Sequence, residues 1–175
     1  MKKTDTRGLV FCALFSALIA VLSQLQLPIG PVPVSLATLG VMLCGLLLGW
    51  RFGALAVGAY ILLGAVGVPV FAGFQGGAGR LLGPTGGYIA GYLFCAVLAG
   101  LNLPCLQENF FGRCALLALG TAFCYGLGTA WFMYMSGRTL SESLSLCVIP
   151  FLPGDAAKIA LAAFLTQRLR KSFSL

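Results

Sequence analysis

The sequence has no histidine and only four acidic residues, and charged side chains make up 9% of its 175 positions. An ordinary soluble domain carries about 25% charged residues, so a soluble surface cannot be built from this chain. Without histidine the commonest general base and the commonest metal ligand are both missing. No two cysteines stand at CxxC spacing either, which leaves a metal site without ligands. Rhomboid-type proteolysis needs a serine and a histidine, and aspartyl proteolysis needs two buried carboxylates where only Asp155 lies near an apolar run. There is no GxxxxGK phosphate loop, so the chain does not itself use ATP, and any energised transport draws on a partner or a gradient. No enzyme activity, catalytic residue, metal or cofactor is expected.

What is present is apolar: 59% of the residues are hydrophobic. The 24 glycines follow no collagen period and lack the polar filler of a linker, which fits helices packed closely in lipid. Runs with few or no charges cover about 8–27, 32–48, 52–72, 86–103, 114–135 and, interrupted by prolines, the last stretch, where a regular helix is expected over 155–170. The expected fold is therefore an all-α membrane protein, one integral domain over 1–175 built as a bundle of six transmembrane helices. Two lysines, an apolar stretch and small residues before Ala20 imitate a signal peptide, but the run 8–27 is uncharged for 20 residues and opens a series of similar segments. Of the seven cysteines, Cys12, Cys44, Cys95, Cys114, Cys124 and Cys147 sit in apolar runs and read as small buried hydrophobes.

An even number of spans puts both termini on one side. Lys2, Lys3, Arg7, Arg51, Arg113, Arg168, Arg170 and Lys171 flank one face, and Arg80, Arg138 and Lys158 flank the other. By the positive-inside rule both termini face the cytoplasm, and the net charge of +7 reflects topology and contact with anionic lipid rather than nucleic-acid binding. The expected location is the cell membrane of a prokaryote, crossed several times. The outer connections are then 28–33, 73–85 and 136–154. The first is Pro-Ile-Gly-Pro-Val-Pro, an extended path tolerable near bilayer depth only against protein. The second is dense in glycine around Arg80, which lets the backbone come close to a helix or a ligand.

Asp155 is the one carboxylate beside a spanning helix, at its start, and Lys158 follows at i+3 on the same face. An ionisable group at membrane depth marks a function or a pairing. The bland alternative is that Asp155 caps the helix and Lys158 pairs with it or snorkels outward. On the first helix, Ala13 and Ala17 are spaced small-xxx-small in the cytoplasmic half, where they admit either an internal neighbour or a partner helix.

Three segments carry a resemblance: Gly30-Pro31-Val32-Pro33-Val34-Ser35-Leu36, Gly83-Pro84-Thr85-Gly86-Gly87-Tyr88 and Pro153-Gly154-Asp155-Ala156-Ala157-Lys158. Together, in this order, they resemble the signature segments of the BioY family of biotin transporters. The resemblance implies a six-helix bundle acting as the substrate-specific S component of an energy-coupling factor transporter, with a T subunit and two ABC-type ATPases as partners, and leaves open action alone. It implies that Asp155 and Lys158 belong to the ligand pocket, together with Arg80 and Tyr88 and, from the matched segments and the glycine loop, Thr85, Gly86, Gln75 and Ser35. It assigns Ala13 and Ala17 to docking on the T subunit. The chain departs from the expected pattern at Ser35 and Ala37, where threonine and glutamine are expected, and at Phe74 and Gln75 in the glycine loop.

The chemistry of biotin agrees with these residues independently. Its urea N–H donors suit Asp155, its carboxylate suits Lys158 or Arg80, and its apolar bicycle suits aromatic cover from Phe71, Phe74, Tyr88 or Tyr92. Two other readings remain at this point: a structural or assembly protein whose small-residue faces hold other membrane proteins, and an S component for another vitamin.

Overall fold

The computed structural model of the chain describes residues 3–27, 32–101, 103, 106 and 109–170, with side chains from Thr6 onward. Residues 28–31 of the first connection lie outside this set, as do Lys2, Glu108 and Lys171. Helix α1 (Lys3–Gln24) leads to a two-stranded antiparallel ribbon, β1 (Gln26–Leu27) and β2 (Val34–Ser35), paired Gln26 to Ser35 and Leu27 to Val34. Helices α2 (Ala37–Val66), α3 (Ala78–Leu81), α4 (Gly86–Ala99), α5 (Phe110–Ser136), α6 (Leu140–Cys147) and α7 (Leu152–Leu169) follow. The chain is mostly helical. Three helices, α1, α2 and α5, are long and apolar enough to cross a bilayer. Helices α6 and α7, bent by 53° at their junction, qualify together as a broken crossing, and α4 is shorter at 14 residues.

Helix α2 is not one straight rod. Gly49 sits at φ 77° and ψ 173°, outside helical geometry, in a region only glycine enters without strain. A Cβ built on Gly53 would stand 3.1 Å from the Cα of Gly45. In a straight helix those eight residues would be about 12 Å apart along the axis. The two halves of α2 therefore fold back on each other at Gly49. Trp50 donates its backbone N–H to the carbonyl of Gly100 at 3.0 Å, which ties this turn to the end of α4.

The expected spans differ at their ends from the observed helices, and each difference has a local cause. The first helix ends at Gln24 and the second begins at Ala37, because the proline-rich connection is flanked by β1 and β2 rather than absorbed into helix. The third run stops being helical at Val66, where Gly67 closes the helix at φ 111°. The connection 136–154 contains α6, started by a capping box between Thr139 and Glu142. Helix α7 begins at Leu152, three residues before the expected Asp155, because Pro153 is tolerated in a first turn that needs no N–H partner. Asp155 lies in that first turn, buried.

Helix α4 packs between α2 and α5, while α7 packs against both α2 and α5, so these helices close a ring. Helix α1 lies outside the ring against α2. The α4–α5 contact requires glycine: a Cβ on Gly91 would meet the Cys124 sulfur at 2.7 Å. The core runs through Ile19, Val41, Met42, Cys44, Ala56, Val57, Ala96 and Leu117, all fully shielded. The ring leaves room at one end, where α2, α4 and α7 start and α1 finishes.

Candidate ligand chamber

At that end two adjoining cavities share Val32, Pro33, Ser35, Tyr88 and Tyr92 as a common wall. We treat them as two lobes of one chamber. The first lobe reaches Thr38, Thr121, Tyr125, Phe151, Asp155 and Lys158, and the second reaches Ser23, Tyr60, Phe71, Arg80 and Thr85.

Asp155 and Lys158 are 5% and 7% exposed, so two charges are held inside the protein and must satisfy each other. Lys158 Nζ donates to Asp155 Oδ1 at 2.8 Å, to the Ser35 carbonyl at 2.7 Å and to Thr38 Oγ1 at 3.1 Å. An ammonium has three N–H donors, and all three are engaged. The other carboxylate oxygen, Oδ2, accepts a hydrogen bond from the Tyr125 hydroxyl. A carboxylate offers about four lone-pair sites, so Asp155 keeps acceptor capacity toward the cavity. The network joins α7 to α5 through Tyr125 and to β2 and α2 through Lys158.

The second lobe is built differently. Arg80 comes from the short α3 inside the glycine loop and is half-buried, with no ion pair or side-chain hydrogen bond to any described residue. Thr85, 6% exposed, has its Oγ1 buried and without a hydrogen-bond partner among the described residues. A buried orphan hydroxyl costs about 1–3 kcal/mol unless something supplies its partner. The Phe71 ring stands over Gly64 and meets Tyr60 edge to face at 5.5 Å. The main chain that carries Phe71 is tied to the end of α1. Gln24 Nε2 donates to the carbonyls of Val70 and Phe71, each at 3.2 Å, Gln24 Oε1 accepts from the Phe74 N–H at 2.8 Å, and Ser23 donates to Val70 O.

Of the residues singled out from the sequence, Asp155, Lys158, Ser35 and Tyr88 line the first lobe, and Arg80 and Thr85 line the second with Ser35 and Tyr88 again. The Tyr88 hydroxyl pairs with Thr129 Oγ1 at 3.2 Å and its ring covers Gly128, so Tyr88 offers the chamber its ring rather than its hydroxyl. Two expected residues fall outside. Gln75 is exposed and spends its backbone groups on Phe71, because the glycine loop turns back on itself there. Gly86 is buried at the start of α4 against the Leu81 carbonyl and does not line the cavity. Phe74, weighed as aromatic cover, points away and is 73% exposed. Ala13 and Ala17 are both exposed on α1, away from the chamber.

Sequence reasoning missed Thr38, Thr121, Tyr125 and Tyr60. One signal was available: Thr121, Tyr125 and Thr129 recur every four residues within an apolar run, which is one polar stripe on a helix. Tyr60 carries no such mark.

The chain is 39% identical over 165 residues to the biotin transporter BioY of Thermotoga maritima, covering 94% of this chain and 96% of that protein. It is 38% identical over 173 residues to the biotin transporter BioY of Lactococcus lactis, covering 94% and 91%, and 39% identical over 160 residues to the probable biotin transporter BioY of Pyrococcus horikoshii, covering 90% and 93%. Its fold is similar to the crystal structure of the S component for biotin from an ECF-type ABC transporter, with a TM-score of 0.89 and 38% identity over 98% of this chain and 95% of that one. With the family model matched across residues 1–175, the chain belongs to the BioY family.

Proposed function

We propose that this chain takes up biotin, capturing it from the outer side of a prokaryotic cell membrane as the S component of an energy-coupling factor transporter. The observation that carries this reading is the pair of unlike poles in one chamber. Asp155 keeps acceptor capacity at one, and Arg80 and Thr85 stand uncommitted at the other. Biotin is unlike at its two ends in the same way, with urea N–H donors on the bicycle and a carboxylate on the tail. The engagement of all three Lys158 donors favours Arg80, assisted by Thr85, for the ligand carboxylate. Tyr88, Tyr92 and Phe71 suit the apolar bicycle and chain between.

Six crossings accommodate this function: α1, the two halves of α2, α4, α5, and α6 with α7. Both termini then lie on the cytoplasmic side and the chamber opens outward, in keeping with the eight-to-three distribution of basic residues along the chain. Ala13 and Ala17 face away from the ring and offer α1 as a docking surface for a T subunit, with ABC-type ATPases supplying the energy that this chain cannot. Titration of the purified protein with biotin tests the reading. Nanomolar binding, about −12 kcal/mol, is expected. No binding at micromolar biotin in either detergent or lipid would sink it.

A further inference from the structure

A threonine hydroxyl offers one hydrogen to donate and two lone pairs to accept. Since an ammonium can only donate, the 3.1 Å contact from Lys158 Nζ makes Thr38 Oγ1 an acceptor, and its own hydrogen is left to another partner. Four other hydroxyls of the first lobe and its wall are already engaged. Thr121 donates to the Leu117 carbonyl at 2.8 Å, Tyr125 donates to Asp155, and Tyr88 and Thr129 pair with each other. A helical threonine usually returns its hydrogen to the carbonyl four residues back, as Thr121 does. Thr38 has no such route, because it is the second residue of α2 and the residue four before it, Val34, belongs to β2. Among the described residues no acceptor takes the Thr38 hydrogen, and Thr38 lies half-buried on the wall of the first lobe.

Asp155 and Thr38 are thus presented side by side, both bonded to the same ammonium and so less than two hydrogen-bond lengths apart. One offers acceptor capacity and the other a donor. We infer that Thr38 reads the urea carbonyl of the ligand while Asp155 accepts the adjacent N–H, so that the two side chains bridged by Lys158 select a cyclic urea. This rests on the biotin reading above. An N–H and a C=O on neighbouring atoms match this pair, whereas a carboxylate would meet the Asp155 charge and a thiocarbonyl would waste the donor on a weak acceptor.

The test compares biotin with its analogue carrying C=S in place of the urea C=O, by equilibrium binding to the full chain in detergent. The parent protein is expected to prefer biotin. In Thr38→Val, biotin binding should weaken on the order of tenfold or more, and the preference for biotin over the thio analogue should shrink toward one. A disturbance of the pocket that leaves the contact to the urea oxygen intact weakens both ligands alike, so the ratio reports the hydrogen bond to that oxygen, and its rescue in Thr38→Ser assigns the bond to the hydroxyl. Thr38→Ser should restore both affinity and preference, and Thr38→Ala gives the same comparison if the valine variant does not fold. An unchanged ratio in the hydroxyl-free variants, or a serine variant that binds like valine, would overturn the inference. Failure of the parent to bind biotin at all would instead remove the functional reading beneath it.

Discussion

Tyr125 and Lys158 each take one oxygen of the Asp155 carboxylate, so the side chain that the sequence marks most clearly is also the one most fully positioned by others. A buried ion pair adds little net stability, but removing one partner leaves an uncompensated charge at a cost of about 3–5 kcal/mol. Asp155→Asn keeps the shape of the side chain and removes its charge. We expect biotin affinity to fall at least a hundredfold, about 3 kcal/mol, as measured by calorimetry. Affinity within threefold of the parent would remove Asp155 from the site. The i+3 spacing put Asp155 and Lys158 on one face and offered their pairing as one of two readings. The roles of Tyr125 and Thr38 were not legible, because their partners lie 30 and 120 residues away and no local pattern encodes that distance.

At the scale of elements, α1 carries two jobs at two ends. Gln24 and Ser23 hold the chamber loop at one end, while Ala13 lies about 16 Å further along the helix axis and Ala17 about 10 Å. Docking and ligand binding are therefore expected to separate. Ala13→Trp and Ala17→Trp add bulk where a partner helix must approach to about 8 Å, so co-purification of a T subunit should drop while biotin binding by the isolated chain persists. Loss of binding in both variants would show that these alanines only pack the bundle. The turn inside α2 makes a different prediction. A methyl group placed on Gly49 would meet nothing nearer than the Gly100 carbonyl oxygen at 4.0 Å, so the requirement for glycine there comes from φ alone. Gly49→Val should cost roughly 1–2 kcal/mol or more and lower the melting temperature in detergent. An unchanged melting temperature would mean that the hairpin tolerates another backbone path there.

For the molecule as a whole, orientation is the testable property. Ser141, on α6, and Arg168, in the last turns of α7, are both exposed and lie at opposite ends of the bent α6–α7 crossing. With the chamber facing outward, Ser141→Cys should react with a membrane-impermeant maleimide on intact cells, relative to the parent. Arg168→Cys should react only after permeabilisation. The reverse pattern would invert the topology and with it the direction of capture. The same orientation puts Arg51 and the Gly49 turn at the cytoplasmic end, where the Arg51 guanidinium stacks on Trp50 at 5.1 Å, an aromatic and basic pairing suited to a membrane interface.

Several features needed no tertiary information. Long uncharged runs dictate helices in lipid because an unpaired backbone is prohibitive there. The scarcity of acids leaves Asp155 as the evident polar focus, and the three matched segments point to the family. Other features depended on which helices meet. Gln75 lies as close in sequence to Arg80 as Thr85 does, yet the loop's turn at Phe71 exposes one and the start of α4 buries the other. Lys158 looked equally able to bind a ligand carboxylate or its own neighbour. Only the arrival of Ser35 and Thr38 from the start of α2 uses up its donors, because hydrogen-bond capacity is fixed by side-chain chemistry but its allocation is decided by packing.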